Sequence, residues 1–140
     1  MHTYLRESGV DGVKVDAQSG LGSLAAGIGG GPHVVRQYTE ALEASVEASF
    51  GTEHAINCMC HSTENLYNYK HTAMARASDD FYPKDLASQT WHVAAVACNS
   101  LFIGEIAHTD WDMVSEQDKK FDSKLIFKTI WVGGILLKGQ

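Results

Sequence analysis

The sequence predicts an α/β fold built on a parallel sheet, and three observations carry that expectation. Short β-branched runs alternate with longer helical patterns, in the order strand, helix, strand, helix. The apolar runs repeatedly end in acids, at Asp16, at Asp79 and Asp80, and at Asp110. Asp16 and Asp79 lie 63 positions apart and Asp79 and Asp110 lie 31 apart, against about 31 residues per unit in a (β/α)8 barrel of roughly 250 residues. Such barrels build their sites from strand C-termini and the following loops, so acids at this period would face one mouth. A chain of 140 residues holds about four units and does not close an eight-stranded barrel. An open sheet and a barrel fragment both fit.

The elements follow in order. Residues 1–8 allow a turn or two of helix with Tyr4 and Leu5 as apolar members, and "GVDGVKVD" gives a β-branched strand buried through Val10, Val13 and Val15. The glycine-rich stretch from Leu21 to Pro32 reads as a loop. "VVRQYTEALEASVEASF" then sets Val35, Tyr38, Leu42, Val46 and Phe50 along one helical face. "AINCMC" is the next apolar run, and Ser62 or Thr63 can cap a short helix after it. "HTAMARASDDFYP" reads as a strand ending in two acids and stopped by Pro83, "DLASQTWHVAAVACNSLFIG" as a buried helix rich in small residues, and "EIAHTDWDM" as a further apolar stretch ending in acids.

Composition narrows the function. The chain is 44% hydrophobic and 20% charged, with a net charge of −6. That is ordinary for one domain with its own core, and it argues against a nucleic-acid surface, which needs clustered Lys and Arg. Cys58, Cys60 and Cys98 form an odd set without disulfide spacing, as expected in the cytoplasm. No signal-like segment opens the chain, and "LIFKTIWVGGILL" is broken by Lys128 and too short to span a bilayer.

Lys14 and Asp16, two apart on a strand, share the face opposite Val13 and Val15. A lysine beside Asp16 would hold the carboxylate ionised, as a nucleophile requires, although a strand-end ion pair has the same pattern. The adjacent acids Asp79 and Asp80 raise one another's pKa unless Arg76 compensates, so one is a candidate general acid. An ionised acid paired with a protonated one suggests retaining glycoside chemistry, with carboxyls about 5–5.5 Å apart. An N-cap or Asx turn before Phe81 and Pro83 explains the two acids equally well. "CMCH" offers soft ligands, but an alternating strand sends Cys58 and Cys60 to one face and His61 to the other, so buried cysteines and no metal are expected. "GLGSLA" is a loose glycine-rich match without a strand-end acid at the required distance. Trp91 and His92 read as members of a packed helix.

Taken together, "GVDGVKVD", "RQYTEALEASV", "CMCHSTENLY", "ARASDDFYPKDLASQT", "NSLFIGE" and "DWDM" closely resemble consecutive segments of the plant raffinose synthase and alkaline α-galactosidase family, the seed imbibition proteins of glycoside hydrolase family 36. The resemblance runs from about Tyr4 to Met113. It implies a central (β/α)8 barrel, flanked in complete members by a β-sandwich and a C-terminal β-domain. This chain would supply about strands four to seven, with residues 1–113 as a partial barrel and 114–140 as a divergent C-terminal tail.

It also implies retaining transfer of α-linked galactose through a covalent galactosyl-enzyme, without a cofactor. Galactinol would be the donor and sucrose the acceptor, and in the hydrolases water would accept from raffinose-type galactosides. Carried onto this sequence, the K-x-D aspartate Asp16 is the nucleophile, while Lys14 and Arg76 bind galactose hydroxyls. The acid/base is Asp80, four residues after the arginine, with Asp79 as the alternative. Cys60 and His61 join the substrate-binding set, and Asp110, Trp111 and Asp112 line the mouth. The family usually has proline where this chain has Thr109. With half the barrel's strands missing, the chain alone is expected to be inactive, and a truncated, non-catalytic protein is the alternative.

Overall fold

The computed structural model describes residues 1–71 and 74–111. It is an α/β structure with two compact units, Met1–Arg76 and the stretch beginning at Ala77.

The first unit opens with α1 (His2–Glu7) and β1 (Val13–Val15), continues through a 3-10 segment (Gln18–Leu24) into α2 (Gly31–Phe50), and then β2 (Ala55–Asn57), α3 (Thr63–Leu66) and β3 (Met74–Arg76). The three strands are parallel: Val13, Lys14 and Val15 lie beside Ala55, Ile56 and Asn57, and Ile56 and Asn57 beside Met74 and Ala75. Parallel neighbours need crossovers, which α2 and α3 supply. Gly12 permits the close approach of the first two strands, since a Cβ there would stand 2.6 Å from the carbonyl oxygen of His54.

Helix α2 starts after Gly30 (φ 84°) and stops at Gly51 (φ 94°), both backbones that favour glycine. Its buried face is Val35, Thr39, Glu43, Val46 and Phe50; three of these belong to the expected stripe, while the expected Tyr38 and Leu42 are half-buried and Thr39 and Glu43, one position along, are buried. Val46 and Phe50 pack with Ala55, and Leu5, Val10, Val13 and Leu42 close around them. Leu5 serves this core as expected, whereas Tyr4 is exposed, and the three valines of the first strand are only half-buried. Glu43 is tolerated in the stripe because its Oε1 accepts the backbone N–H groups of Lys70 (2.8 Å) and His71 (3.0 Å). Ser62 caps α3, its Oγ accepting the N–H of Asn65 at 3.1 Å.

The second unit contains α4 (Leu86–Ile103) and β4 (His108–Asp110). Asp85 caps α4 through the N–H groups of Ala87 (3.0 Å) and Ser88 (3.3 Å), which takes the capping role away from Asp79 and Asp80. The N–H of Ala77 donates to the carbonyl of Asp110 at 3.1 Å.

Three expectations need correction. The glycine-rich stretch is partly ordered as the 3-10 segment. The third strand ends at Arg76, short of the two acids. The "CMC" run does not alternate as a strand, because β2 ends at Asn57 and Met59 has a left-handed backbone (φ 45°). Asp112 and the expected tail of residues 114–140 lie outside the described residues. Among those described, no helix is long and apolar enough to cross a membrane.

Candidate active site

Sheet register determines which side chains share a face. Paired residues on neighbouring strands project to the same side, and successive residues to opposite sides. Val13 and Ala55 pack with Val46 and Phe50 of α2, so α2 covers their face. Lys14, Ile56 and Met74 therefore occupy the opposite face, and Asp16, Cys58 and Arg76 follow two positions further along the three strands. The N–H of Cys58 donates to Val15 O at 2.8 Å, carrying the ladder past Asn57, and Arg76 Nη1 stands 3.9 Å from Cys58 Sγ. Lys14, Asp16 and Arg76 thus share one face at the C-terminal ends of parallel strands, as expected of a site in this class of fold. Lys14 and Asp16 are exposed and Arg76 is buried.

The backbone turns sharply at this acid. Asp16 Oδ1 accepts the N–H of Ala17 at 2.7 Å, and Ala17 itself is left-handed (φ 59°). The next residue, Gln18, is fully buried. Its Nε2 donates to Val15 O (3.0 Å) and to Asn57 Oδ1 (2.8 Å), while its Oε1 accepts the Tyr69 hydroxyl at 3.0 Å. Ser19 N–H also donates to Met59 O at 2.6 Å. These bonds tie the residues after Asp16 to the end of β2, so the acid emerges from an anchored turn. Nothing in the sequence pattern marks Gln18, since a glutamine in a glycine-rich stretch reads as solvated.

Cys60 and His61 follow β2 on the same loop. Cys60 is fully buried, and its Sγ lies 3.5 Å from Asn57 O. Burial pushes its thiol above the ordinary value of 9.0, and burial likewise raises the neighbouring Tyr69 phenol well above 10.0. Both therefore remain protonated at neutral pH. His61 Nε2 hydrogen-bonds the carbonyl of Arg76, tying this loop to the end of β3. Among the described residues, no group of three His, Cys, Asp or Glu side chains is placed to hold a metal.

In the second unit, Asp79 and Asp80 are exposed on a bend, and Asp110 and Trp111 are half-buried at the end of β4. Helix α4 holds the main chain around these residues. Asn99 Nδ2 donates to Ala77 O (2.7 Å), and Gln89 Nε2 donates to Pro83 O (2.9 Å). His92 sits between them with contacts to Ser78, Asp79 and Trp111. As expected, His92 is a buried member of a packed helix; Trp91, in contrast, is 75% exposed.

The family described as raffinose synthase or seed imbibition protein Sip1 matches residues 1–124. A probable galactinol–sucrose galactosyltransferase 1 of Arabidopsis thaliana is 52% identical over 113 residues, covering 81% of this chain and 15% of that protein. A second Arabidopsis thaliana relative, probable galactinol–sucrose galactosyltransferase 6, is 50% identical over 113 residues with the same coverage. The stachyose synthase of Pisum sativum is 34% identical over 122 residues, covering 81% of this chain and 14% of its own length. The chain therefore spans about 15% of the length of the relatives it matches.

Proposed function

The chain belongs to the raffinose synthase or seed imbibition protein family, and on that premise we propose that it carries the nucleophile-bearing part of a retaining α-galactosyl transferase. The observation that supports this best is the shared face of Lys14, Asp16 and Arg76 at the ends of parallel strands, opposite the face covered by α2. On this reading the strands are consecutive staves, about the fourth to the seventh, of a (β/α)8 barrel. Galactinol is the donor and sucrose the acceptor, in keeping with the relatives' names. Those names, a galactosyltransferase and a synthase, favour transfer over hydrolysis.

The reaction has two displacements. In the first, a carboxylate oxygen of Asp16 attacks the anomeric carbon and the bond to the leaving oxygen breaks. Asp80, or Asp79 in its place, gives that oxygen its proton. In the second, the resulting carboxylate takes the proton from an acceptor hydroxyl, the hydroxyl oxygen attacks the anomeric carbon, and Asp16 leaves as a carboxylate. Lys14 and Arg76 would orient the galactose by its hydroxyls, with His61 and Cys60 on the loop beside them. Asp110, Trp111 and Asp112 would line the mouth.

The test uses a full-length chimera in which residues 1–111 replace the matching segment of the Arabidopsis relative that is 52% identical. A fluorinated galactosyl fluoride that slows the second displacement should leave an adduct on the peptide containing Asp16. With an α-galactosyl donor carrying a good leaving group, Asp16→Gly should regain turnover in azide and release the β-azide, because azide then performs one inverting displacement. An adduct elsewhere, or undiminished turnover by Asp16→Ala, overturns the assignment.

A further inference from the structure

We propose that His92 is a positioning residue for the transfer reaction, clamping the main chain that bears the acid/base aspartates to the main chain of Trp111. The inference rests on the proposed role of Asp79 or Asp80, and it adds a helix residue that touches neither substrate nor reacting atoms.

The argument starts from what α4 buries. Gln89, His92 and Val96 are buried, and Asn99 completes a stripe spaced by three and four residues on one helical face. An amphipathic helix normally fills such a stripe with aliphatic side chains. Here three of the four are polar, and each meets a backbone carbonyl of the adjoining loops. Asn99 takes Ala77 O, His92 takes Trp111 O, and Gln89 takes Pro83 O. A loop with its backbone so held presents Asp79 and Asp80 from a fixed base.

His92 differs from the other two because its two nitrogens serve two segments. Nε2 lies 2.8 Å from Trp111 O, which can only accept, so Nε2 carries a proton. Nδ1 lies 2.9 Å from Ser78 Oγ and 3.1 Å from Asp79 O. With the proton on Nε2, Nδ1 is the acceptor side of the ring and faces the Ser78 hydroxyl, whose oxygen also lies 2.9 Å from Asp79 O. The Phe81 ring packs edge-on against the imidazole, with centroids 5.4 Å apart, and holds its plane. The ring thus ties Ser78, the neighbour of Asp79, to the Trp111 backbone through its two opposed nitrogens.

A purely structural anchor would make the same contacts, so the test must read the proton-transfer step. In the chimera, His92→Leu and His92→Gln are compared on galactinol and on an aryl α-galactoside whose nitrophenol leaves without a proton. Misplacing a catalytic group by about 1 Å can lower a rate about 100-fold. His92→Leu should therefore reduce kcat on galactinol by about that factor, change KM little, and affect the first displacement from the activated donor far less. His92→Gln, which retains one N–H donor, should recover part of the loss.

Asp79→Ala and Asp80→Ala are measured alongside. If neither shows dependence on the leaving group, the acid/base reading fails whatever His92 does. If one does show it, and His92→Leu slows both donors equally or neither, the positioning role is overturned. Should His92→Leu fail to fold, His92→Gln and Ser78→Ala decide the same question, since either must reproduce the leaving-group dependence in weaker form or refute the proposal.

Discussion

Gln18 provides the sharpest test of how the turn after Asp16 is held. Gln18→Ala removes two donor contacts, to Val15 O at 3.0 Å and Asn57 Oδ1 at 2.8 Å, and one acceptor contact, from Tyr69 at 3.0 Å. At about 1 kcal/mol net for each neutral hydrogen bond, the three contribute about 3 kcal/mol. The lost buried methylene adds about 0.8 kcal/mol. Bonds sharing one amide are not independent, so the expected loss is about 2–4 kcal/mol. Urea unfolding of the 140-residue chain, followed by far-ultraviolet circular dichroism, measures it. Tyr69→Phe should lose about 1 kcal/mol, and the double variant should lose less than the sum, because the Tyr69 bond disappears in both single variants. A loss below about 1 kcal/mol for Gln18→Ala, or strict additivity with Tyr69→Phe, would refute the claim that this network anchors the turn.

Two further outcomes follow from the same unit. Gly12→Ala should destabilise by about 1–3 kcal/mol, because its Cβ would meet His54 O at 2.6 Å and push β1 from β2. Gly20→Ala, with nothing within 4 Å, is the control and should be close to neutral in the same unfolding assay. Stability should also fall as pH rises above about 9. The thiol of Cys60 and the phenol of Tyr69 are both raised by burial above their ordinary 9.0 and 10.0. The unfolded chain therefore releases these protons first and binds fewer of them than the folded state, so their contribution is complete below pH 9 and lost above it. The stability difference between the native chain and Cys60→Ala/Tyr69→Phe should narrow from pH 8 to 10.5, and a constant or widening difference would contradict the burial of these groups.

Much of the first unit was legible in the sequence. The stripe Val35, Tyr38, Leu42, Val46 and Phe50 marked α2 because a helix packed on one side must repeat its apolar residues every three or four positions. The alternation in "VKVD" placed Lys14 and Asp16 on one face for the same kind of reason, with period two. The end of β3 was not legible. "MARASDD" has no residue that forbids extension, yet β3 ends at Arg76, and its neighbour β2 ends at Asn57 ahead of the left-handed Met59. Such an end depends on the partner strand, which the local sequence does not contain. The roles of Gln18 and Tyr69 were hidden likewise, since the two residues lie 51 positions apart and meet only in the folded chain.

Helix α4 carries this point furthest, because hydrophobicity misreads its faces. Trp91, Leu101 and Phe102 are 75%, 73% and 71% exposed, while Gln89 and His92 are only 2% and 5% exposed. A pattern reading takes the aromatic and aliphatic positions as the packed face, and here the face turned to the neighbouring loops is the one with amides and an imidazole. The physical reason is what lies opposite. A sheet face offers side chains and is matched by aliphatic groups, whereas irregular loops offer carbonyls that have no ladder to satisfy them. Carbonyls turned away from water require donors, and Gln89, His92 and Asn99 supply them at one-turn and two-turn intervals in part-buried bonds. A helix face that meets loops should therefore carry donors at core spacing. Polar residues recurring at that spacing are the sequence signal for a helix face that anchors loop main chain.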